Sequence, residues 1–273
     1  MKPTTLPINT AEQRTLNFYN TVGWVTTDSV TEDALRYEDL RVGAREYVSK
    51  CRLRVTRHVG SGNRMLDMAS GPIQYEEYLS YSAAYQTRHC VDLSGDALRE
   101  AERKLGSHGV YLYGSFFDLE IPENYFDCAI SLHTIYHMDK DAQESAVRKL
   151  LRVTKPGRPV IIVYSNPRSL SEYVRAVIHK AGQIFVRRQP EPEGSAAGLY
   201  FYPHRLEWFD RFRDVAELTV LPWRSFTATD QRTIIPDNWL GRWLLARLFD
   251  LEEKFPRFFV RFGQYPMIIL TKR

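Results

Sequence analysis

The chain has 273 residues, 44% of them hydrophobic and 26% charged, with 37 Lys and Arg against 33 Asp and Glu and a formal net charge of +4. That length suffices for one large globular domain, and so small and dispersed a charge argues against a nucleic-acid partner. The three cysteines, Cys51, Cys90 and Cys128, show no CxxC spacing, so neither a zinc site nor a disulfide framework is expected. Residues 1–10 lack an apolar signal core, and no apolar run is long enough to span a bilayer. A cytoplasmic protein with no metal and no membrane contact is the expectation.

In chain order, Met1–Asn9 is expected to be a loose tail, Thr10–Tyr19 a short helix, and Thr31–Val59 a longer one broken near Gly43. Phe18, Tyr19 and Trp24 cluster between them. Lys50, Arg52, Arg54, Arg57 and His58 interleave with Val48, Cys51, Val55 and Val59 at helical spacing, which predicts an amphipathic helix with a solvated basic face. The rhythm then changes. Arg64–Met68, Thr87–Asp92, Gly109–Tyr113, Tyr125–Leu132 and Pro159–Tyr164 read as strands. Gln74–Tyr85, Gly95–Leu105 and Asp141–Val153 read as helices, the last stopped by Lys155-Pro156-Gly157. This alternation predicts an α/β fold built on a doubly wound, mostly parallel sheet covered on both faces.

Beyond Pro167 the pattern becomes irregular. Leu170–Phe185 and Pro203–Phe212 look helical, and Arg188–Gly198 is the candidate for a mobile loop. Val215–Thr227 reads as a strand, Trp239–Phe255 as a helix and Pro266–Thr271 as a last strand. One domain is expected: residues 1–60 as a helical cap, 61–166 as the core, 167–214 as an insertion over the acceptor, and 215–273 completing the sheet.

The core carries the most informative pair of segments. Met65-Leu66-Asp67-Met68-Ala69-Ser70-Gly71-Pro72 reads as a buried strand ending in a small-residue turn, and Cys90-Val91-Asp92-Leu93-Ser94 places a second carboxylate after the next strand. In a doubly wound sheet such a turn lets backbone approach a nucleoside, and the second carboxylate accepts hydrogen bonds from the ribose hydroxyls. Taken singly, either acid could instead cap a turn or helix.

Four segments in order resemble the class I S-adenosylmethionine-dependent methyltransferases. Leu66–Pro72 resembles the family's first motif, and Asp92-Leu93-Ser94 with Ala97, Leu98 and Ala101 resembles the ribose-binding strand end and its helix. Gly114-Ser115-Phe116-Phe117-Asp118-Leu119 with Pro122 and Phe126-Asp127 resembles the segment around adenine, and Leu150–Gly157 the helix end before strand five. The resemblance covers roughly residues 64–165. It implies a Rossmann-like sheet of seven strands and S-adenosyl-L-methionine as cofactor, with Asp67, Ala69, Ser70 and Gly71 at its methionine end and Asp92 and Leu93 at its ribose. It also implies Ser115, Phe116 and Phe117 about its adenine, and Leu132 and Tyr19 as further walls. Tyr19 and Trp24 would close over the cofactor from the N-terminal side. Three positions depart from the family. Ala69 stands where glycine is usual, and with ordinary backbone angles it would still allow close approach. Ile73 replaces another common glycine and either narrows the pocket or packs beneath it. Ser115 replaces a common acid, leaving the adenine amino group to its hydroxyl or to backbone near Phe116, with Asp118 a weaker substitute. A G-x-G-x-x-G turn, the mark of dinucleotide oxidoreductases, is absent.

Strand four ends at Ser131-Leu132, so His133, Thr134, Ile135, Tyr136 and His137 should face the activated methyl group. Methyl transfer is an in-line displacement, and a hydroxyl acceptor benefits from a nearby base. His133 and His137 are the candidates, each with the alternative of shaping the pocket. A two-histidine metal site with Asp139 or Asp141 is a lesser alternative to those acids capping the next helix. Leu132-His133-Thr134-Ile135 stands where amino-directed relatives carry Asn-Pro-Pro-aromatic. That argues against nucleobase and glutamine acceptors and favours O-methylation, with carbon and aliphatic nitrogen open. Tyr200, Tyr202, His204, Trp208 and Trp223 would line the acceptor pocket, and Arg205, Arg211, Arg213 or Arg224 would receive an anionic acceptor. The expected function is methylation of a small molecule, such as a sugar, a polyketide-like compound or a phenol. An RNA methyltransferase and a non-catalytic cofactor-binding regulator are the rivals. Exposed aromatics of the C-terminal region suit a homodimer.

Overall fold

The structure is a computed structural model that describes residues 11–27, 30–173 and 199–273. The expected tail at Met1–Asn9, most of the expected Leu170–Phe185 helix and the Arg188–Gly198 loop lie outside the described residues.

The core is a seven-stranded sheet of β3 (Gly62–Met68), β4 (Tyr85–Asp92), β5 (Gly109–Tyr113), β6 (Cys128–Leu132), β7 (Pro159–Val163), β8 (Ala216–Arg224) and β9 (Tyr265–Lys272); β1 (Thr26–Thr27) and β2 (Val30–Thr31) form a separate small hairpin. The sheet order is β5-β4-β3-β6-β7-β9-β8, with β9 antiparallel to both neighbours and the remaining pairs parallel. The chain starts in the middle, winds outward through β4 and β5, then returns to lay β6 on the other side of β3. That reversal opens a crevice at the carboxyl ends of β3, β4 and β6.

Its strands are apolar on both faces, as sheets covered by helices require. Leu66, Ala129 and Ile162 pack on one side with Val147 and Leu150 of the helix Gln143–Val153. Met65, Ile130 and Ile161 pack on the other with Val55, Val59 and Tyr81. Expected and observed strands agree to within one to three residues. Tyr125–Phe126 is the exception: it stays outside β6, and Phe126 forms an isolated bridge to Thr154.

The differences from expectation have physical causes. The expected Gln74–Tyr85 helix shrinks to Glu76–Leu79 and a 3-10 turn at Ser80–Ser82, because Tyr85 already begins β4 and its hydroxyl is tied to the Val59 carbonyl. The Thr31–Val59 helix divides into Glu32–Tyr37, Arg45–Leu53 and Thr56–Val59. The basic face expected in solvent is partly inside: Arg52 and Arg54 are buried, Arg54 against Glu252 (2.8 Å) and Glu253 (2.8 Å), Arg52 against Glu77 (3.3 Å) and Glu38 (3.4 Å). Their partners lie far along the chain, beyond the reach of periodicity. Thr227 and Asp230 form a capping box that opens an unexpected helix, Ala228–Ile234. The expected Trp239–Phe255 helix ends at Lys254, and Pro256 starts another, Pro256–Phe262, where its missing N–H costs nothing.

The turn after β3 departs most from expectation. Ala69 (φ 58°) and Ile73 (φ 49°) are in the left-handed region, not at ordinary angles. The chain must reverse tightly here, and both side chains bear a conformation that costs roughly 1–2 kcal/mol per non-glycine residue. Ile73 is buried with Cys90, Leu98 and Ala101, so it packs beneath the pocket, and its burial offsets part of that cost. Ala69 is half-buried with only a methyl group to gain from packing. Gly71 (φ 57°) is required twice over, since a Cβ there would also lie 3.1 Å from the Trp24 ring. We expect Ala69→Gly to raise unfolding stability by about 1 kcal/mol in urea titration; an unchanged or lowered midpoint at constant slope contradicts the strain.

Candidate active site

The crevice at the strand ends holds a cavity of about 660 Å³. Its walls are the β3 turn from Asp67 to Pro72, the β4 tip from Val91 to Ser94, Gly114 and Phe116 after β5, and Leu132, His133, Thr134, Tyr136, His137 and Met138 after β6, while Ile135, expected to face the cavity, is buried in the core. The N-terminal helices close it with Glu12, Thr15, Tyr19 and Trp24, and its far end is formed by Asp33, Tyr37, Tyr75, Tyr78, Arg224 and Tyr265.

The strand tips are tied together by backbone. Ser70 N–H donates to the Val91 carbonyl (3.1 Å), Gly114 N–H to the Asp92 carbonyl (3.0 Å), and His133 N–H to the Val163 carbonyl (3.0 Å). Asp92 then joins two tips through its side chain. Oδ2 accepts from Gly71 N–H (2.8 Å) and Oδ1 from Ser94 N–H (2.8 Å). Ser94 in turn caps the following helix, its Oγ accepting from Ala97 N–H (3.3 Å). No cation lies among the influences on Asp92: burial pushes its carboxyl up to about 6, and the amide hydrogen bonds pull it back only partly. Each oxygen keeps lone pairs for further donors.

Asp67 has a different fate. It is buried, and its Oδ2 accepts from Arg88 Nε (3.1 Å) and Nη2 (2.5 Å), while Arg88 also donates to the Tyr78 carbonyl. The Asp67 carboxylate is thus committed to an internal ion pair that braces β3 against β4. It lines the cavity beside Met68 with Oδ2 already engaged by the guanidinium.

Ala69, Ser70, Gly71, Leu93, Phe116, Leu132 and Tyr19 all line the cavity as expected. Tyr19 stacks on Trp24 (centroids 4.7 Å apart, 23° between planes), so these two rings do close its N-terminal side. Ser115 and Phe117 do not line it. Phe117 is half-buried against the core packed below. Ser115 is buried, and its hydroxyl donates to Glu12 Oε1 (2.7 Å) while accepting from Phe117 N–H (3.2 Å). Glu12, on the helix Ala11–Phe18, therefore brings a carboxylate to the β5 end of the cavity, and burial raises its pKa above the usual glutamate value. Nothing local in the sequence marks Glu12, because the contact spans 103 residues.

His133 and His137 are both on the wall, half-buried. His133 takes a left-handed backbone (φ 57°), its Nδ1 is 3.0 Å from the Tyr136 hydroxyl, and its ring meets Trp223 (4.7 Å) and Tyr265 (5.0 Å) edge to face. His137 ends a 3-10 turn, Ile135–His137, and its Nδ1–H donates to the Tyr200 carbonyl (2.7 Å). That bond fixes the tautomer and leaves Nε2 as the acceptor. Burial pushes His137 down to about 4, and burial together with the Arg224 charge holds His133 well below the usual histidine range. Both rings are neutral at pH 7.

The expected acceptor aromatics mostly lie elsewhere. Trp208 is packed against the core cluster and His204 stacks on it (4.6 Å); Trp223 is buried behind His133; Tyr200 contributes its carbonyl to His137. Of the four arginines proposed for an anion, Arg211 pairs with Glu144 and Arg213 with Asp210, and Arg224 alone among them lines the cavity. Its Nη1 donates to Glu38 Oε2 (2.7 Å), and its Nε is buried without a partner among the described residues. Asp33, at the same end, is pushed up to about 6 by burial. Asp139 accepts from Asp141 N–H (2.9 Å) in the turn before the helix Gln143–Val153, whose N-cap is Ala142 and takes no side-chain hydrogen bond, so neither acid caps it as expected. Among the described residues no group of three or more His, Cys, Asp or Glu is placed to hold a metal ion.

Residues 66–162 match a family model described as a methyltransferase domain. The ubiquinone/menaquinone biosynthesis C-methyltransferase UbiE of Pseudomonas aeruginosa (strain LESB58) is 34% identical over 122 residues, 41% of this chain and 45% of its own. That of Pseudomonas putida (strain GB-1) is 30% identical over 161 residues, 53% of this chain and 61% of its own. The chain thus spans about half the length of the curated relatives it matches. Among solved structures, the N-methyltransferase NodS from Bradyrhizobium japonicum WM9, in complex with S-adenosylhomocysteine, superposes with a TM-score of 0.56 at 10% identity, over 97% of this chain and 99% of its own. A SAM-dependent methyltransferase from Archaeoglobus fulgidus gives 0.51 at 18% identity, over 84% and 94%. Such identities show a shared fold. Residues 66–162 thus resemble a methyltransferase domain, on a sheet of the same fold as these structures.

Proposed function

We propose that the protein transfers a methyl group from S-adenosylmethionine to a small acceptor bearing a phenolic or enolic hydroxyl, on oxygen. The observation that carries this reading is the Asp92 carboxylate at the crevice, joined to the Gly71 amide and still able to accept from a ribose. The residues present fit the donor. Asp92 would take the ribose hydroxyls, the backbone of Ala69–Gly71 the methionine end, and Phe116 a face of the adenine. Glu12, at the β5 end of the cavity, would offer an oxygen to the adenine amino group.

The donor supplies an electrophilic methyl on a sulfonium. The protein's own part is to bind, orient and exclude water. Tyr19 and Trp24 cover the donor side. His137, neutral and with Nε2 unprotonated, can take the proton from an acceptor hydroxyl, and His133 with Tyr136 shapes the wall beside it. The Arg224 guanidinium favours negative charge on oxygen at that end. Arg224 acts this way on Tyr136 already, opposing the upward push of burial on its hydroxyl. A deprotonated phenol is nucleophilic at oxygen and at its ring carbons. Carbon methylation is therefore the second reading, favoured by the curated relatives, which are C-methyltransferases.

Calorimetric titration with S-adenosylhomocysteine tests the donor site. Binding is expected, weakened roughly 10- to 100-fold in Asp92→Ala, the loss of hydrogen bonds to a charged group. Because the ionised carboxylate binds ribose and the free protein takes up its proton at about pH 6, affinity should be level above pH 6 and fall below it. The same raised pKa means that Asp92's contribution to unliganded stability is present at low pH and lost as pH rises through 6. Absent binding, or Asp92→Ala binding like the wild type, removes the reading.

Glu12 is tested by replacing adenine. Wild-type protein should prefer S-adenosylhomocysteine to S-inosylhomocysteine, whose 6-oxygen would face the carboxylate, by about tenfold or more. Glu12→Ala should abolish that preference, and a preference that persists contradicts the contact. For the proton acceptor, His137→Gln should keep donor affinity and lower kcat on a phenolic substrate by roughly a hundredfold; unchanged turnover excludes His137 as the base.

A further inference from the structure

The helices Trp239–Lys254 and Pro256–Phe262 lie outside the matched segment and carry a surface that the methyl-transfer reading leaves unused. The first buries Gly241, Leu245 and Phe249 against Tyr47, Val48 and Cys51. Its opposite face is also apolar. Trp239 (71% exposed), Leu240, Trp243 (53%) and Leu251 recur there at helical spacing, with Arg247 and Lys254 between them. Phe255, Phe258 (54%) and Phe262 continue the apolar surface through the next helix, and Arg257 and Arg261 are interleaved. Phe258 and Phe262 pack ring to ring (4.9 Å), Arg261 lies over the Phe262 ring (5.4 Å), and Lys254 lies over Phe255 (5.5 Å).

Several of this stretch's acids are engaged. Glu252 is buried on Arg54, Glu253 is held by Arg54 and Arg57, and Asp250 pairs with Arg247 (3.2 Å). Asp237 stands at the N-terminal edge. The outward charge of the ridge is therefore positive, on Lys254, Arg257 and Arg261.

We propose that this ridge is a docking surface for an anionic lipid bilayer, on which the protein sits without crossing it. Three features select that occupant. Tryptophan and phenylalanine among arginines and a lysine match the boundary between headgroups and acyl chains, where rings sink in and cations reach back to phosphate. A protein partner covering the same rings would have to bury Lys254 with them, and lysine is depleted from protein interfaces. Among the described residues no helix is long and apolar enough to span a membrane, so the surface can only lie on one. The helix that precedes the ridge is tied to the cavity wall. The helix Ala228–Ile234, whose end exposes Ile234, sends Arg232 to the carbonyls of Leu35, Arg36 and Glu38 (3.1 Å each), and Arg36 and Glu38 line the cavity.

Vesicle co-sedimentation tests this independently of any methyl donor. The full chain is mixed with vesicles of phosphatidylcholine alone, or of phosphatidylcholine and phosphatidylglycerol in equal parts. Binding to the anionic vesicles is expected to be at least about tenfold tighter, to weaken with salt, and to shift tryptophan emission to the blue. Trp239→Ser with Trp243→Ser should remove the emission shift and most of the binding. Arg257→Glu with Arg261→Glu should remove the preference for anionic lipid. Both pairs are exposed, so both variants should keep the wild-type unfolding midpoint. The proposal is overturned by no binding to either vesicle, by equal binding to both, or by a dimer in sedimentation that the tryptophan variant dissociates.

Discussion

One carboxylate organises the crevice. Asp92 stands where the tips of β3 and β4 meet, and it is satisfied only by amide donors, Gly71 from one tip and Ser94 from its own. An acid so placed draws the two tips into one wall while its remaining lone pairs face the cavity. Asp67 shows what the alternative looks like. It lies 25 residues earlier at the same sheet edge, yet the Arg88 guanidinium has taken it inward, where it stabilises the strand pair. A buried pair of that kind is costly to break, and it commits Oδ2 to the guanidinium. Among the described residues, then, one acid of the pair is held by a guanidinium and the other by amides.

The turn that makes this possible is under tension. Ala69 and Ile73 adopt backbone angles that glycine would take without cost. A tight β3 turn is what sets the Gly71 amide within reach of Asp92, so the strain accompanies the geometry that the site uses. The surrounding hydrogen bonds, Ser70 to Val91 and His133 to Val163, hold the tips against relaxation. At the far end the electrostatics change character. Arg224, Glu38 and Arg52 form a buried ion network next to tyrosines, and the two histidines beside it are kept neutral. The amide-held carboxylate and the neutral histidines thus occupy separate environments within one cavity.

The central sheet was legible in the sequence because its signals are local. Apolar runs of strand length, a proline and glycine after the helix ending at Val153, and small residues after β3 each act within a few positions. The winding order followed from alternation. Positions governed by distant partners were not legible. Arg54 looked like part of a solvated face because Glu252 and Glu253 are about 200 residues away, and Arg52 because its partner Glu77 lies 25 residues on, in another element. Glu12 gave no sign of facing the cavity, and Ser115 looked like a wall residue when its hydroxyl is turned to Glu12. Aromatics near His204 and Trp208 looked like pocket walls but pack with the core, while Tyr37, Tyr75 and Tyr265 line the cavity from elements outside the recognisable motifs. The matched segment carries the strand-end walls of the crevice, while Glu12, Tyr19, Trp24 and the tyrosines of its far end lie outside that segment or its motifs.

The most direct test is a crystal structure of the protein with S-adenosylhomocysteine. The account predicts both ribose hydroxyls within hydrogen-bonding distance of the Asp92 carboxylate, with the Gly71 amide still donating to it and the sulfur directed toward Leu132 and His133. A nucleoside bound elsewhere, or an Asp92 side chain turned away from the ribose, would contradict it.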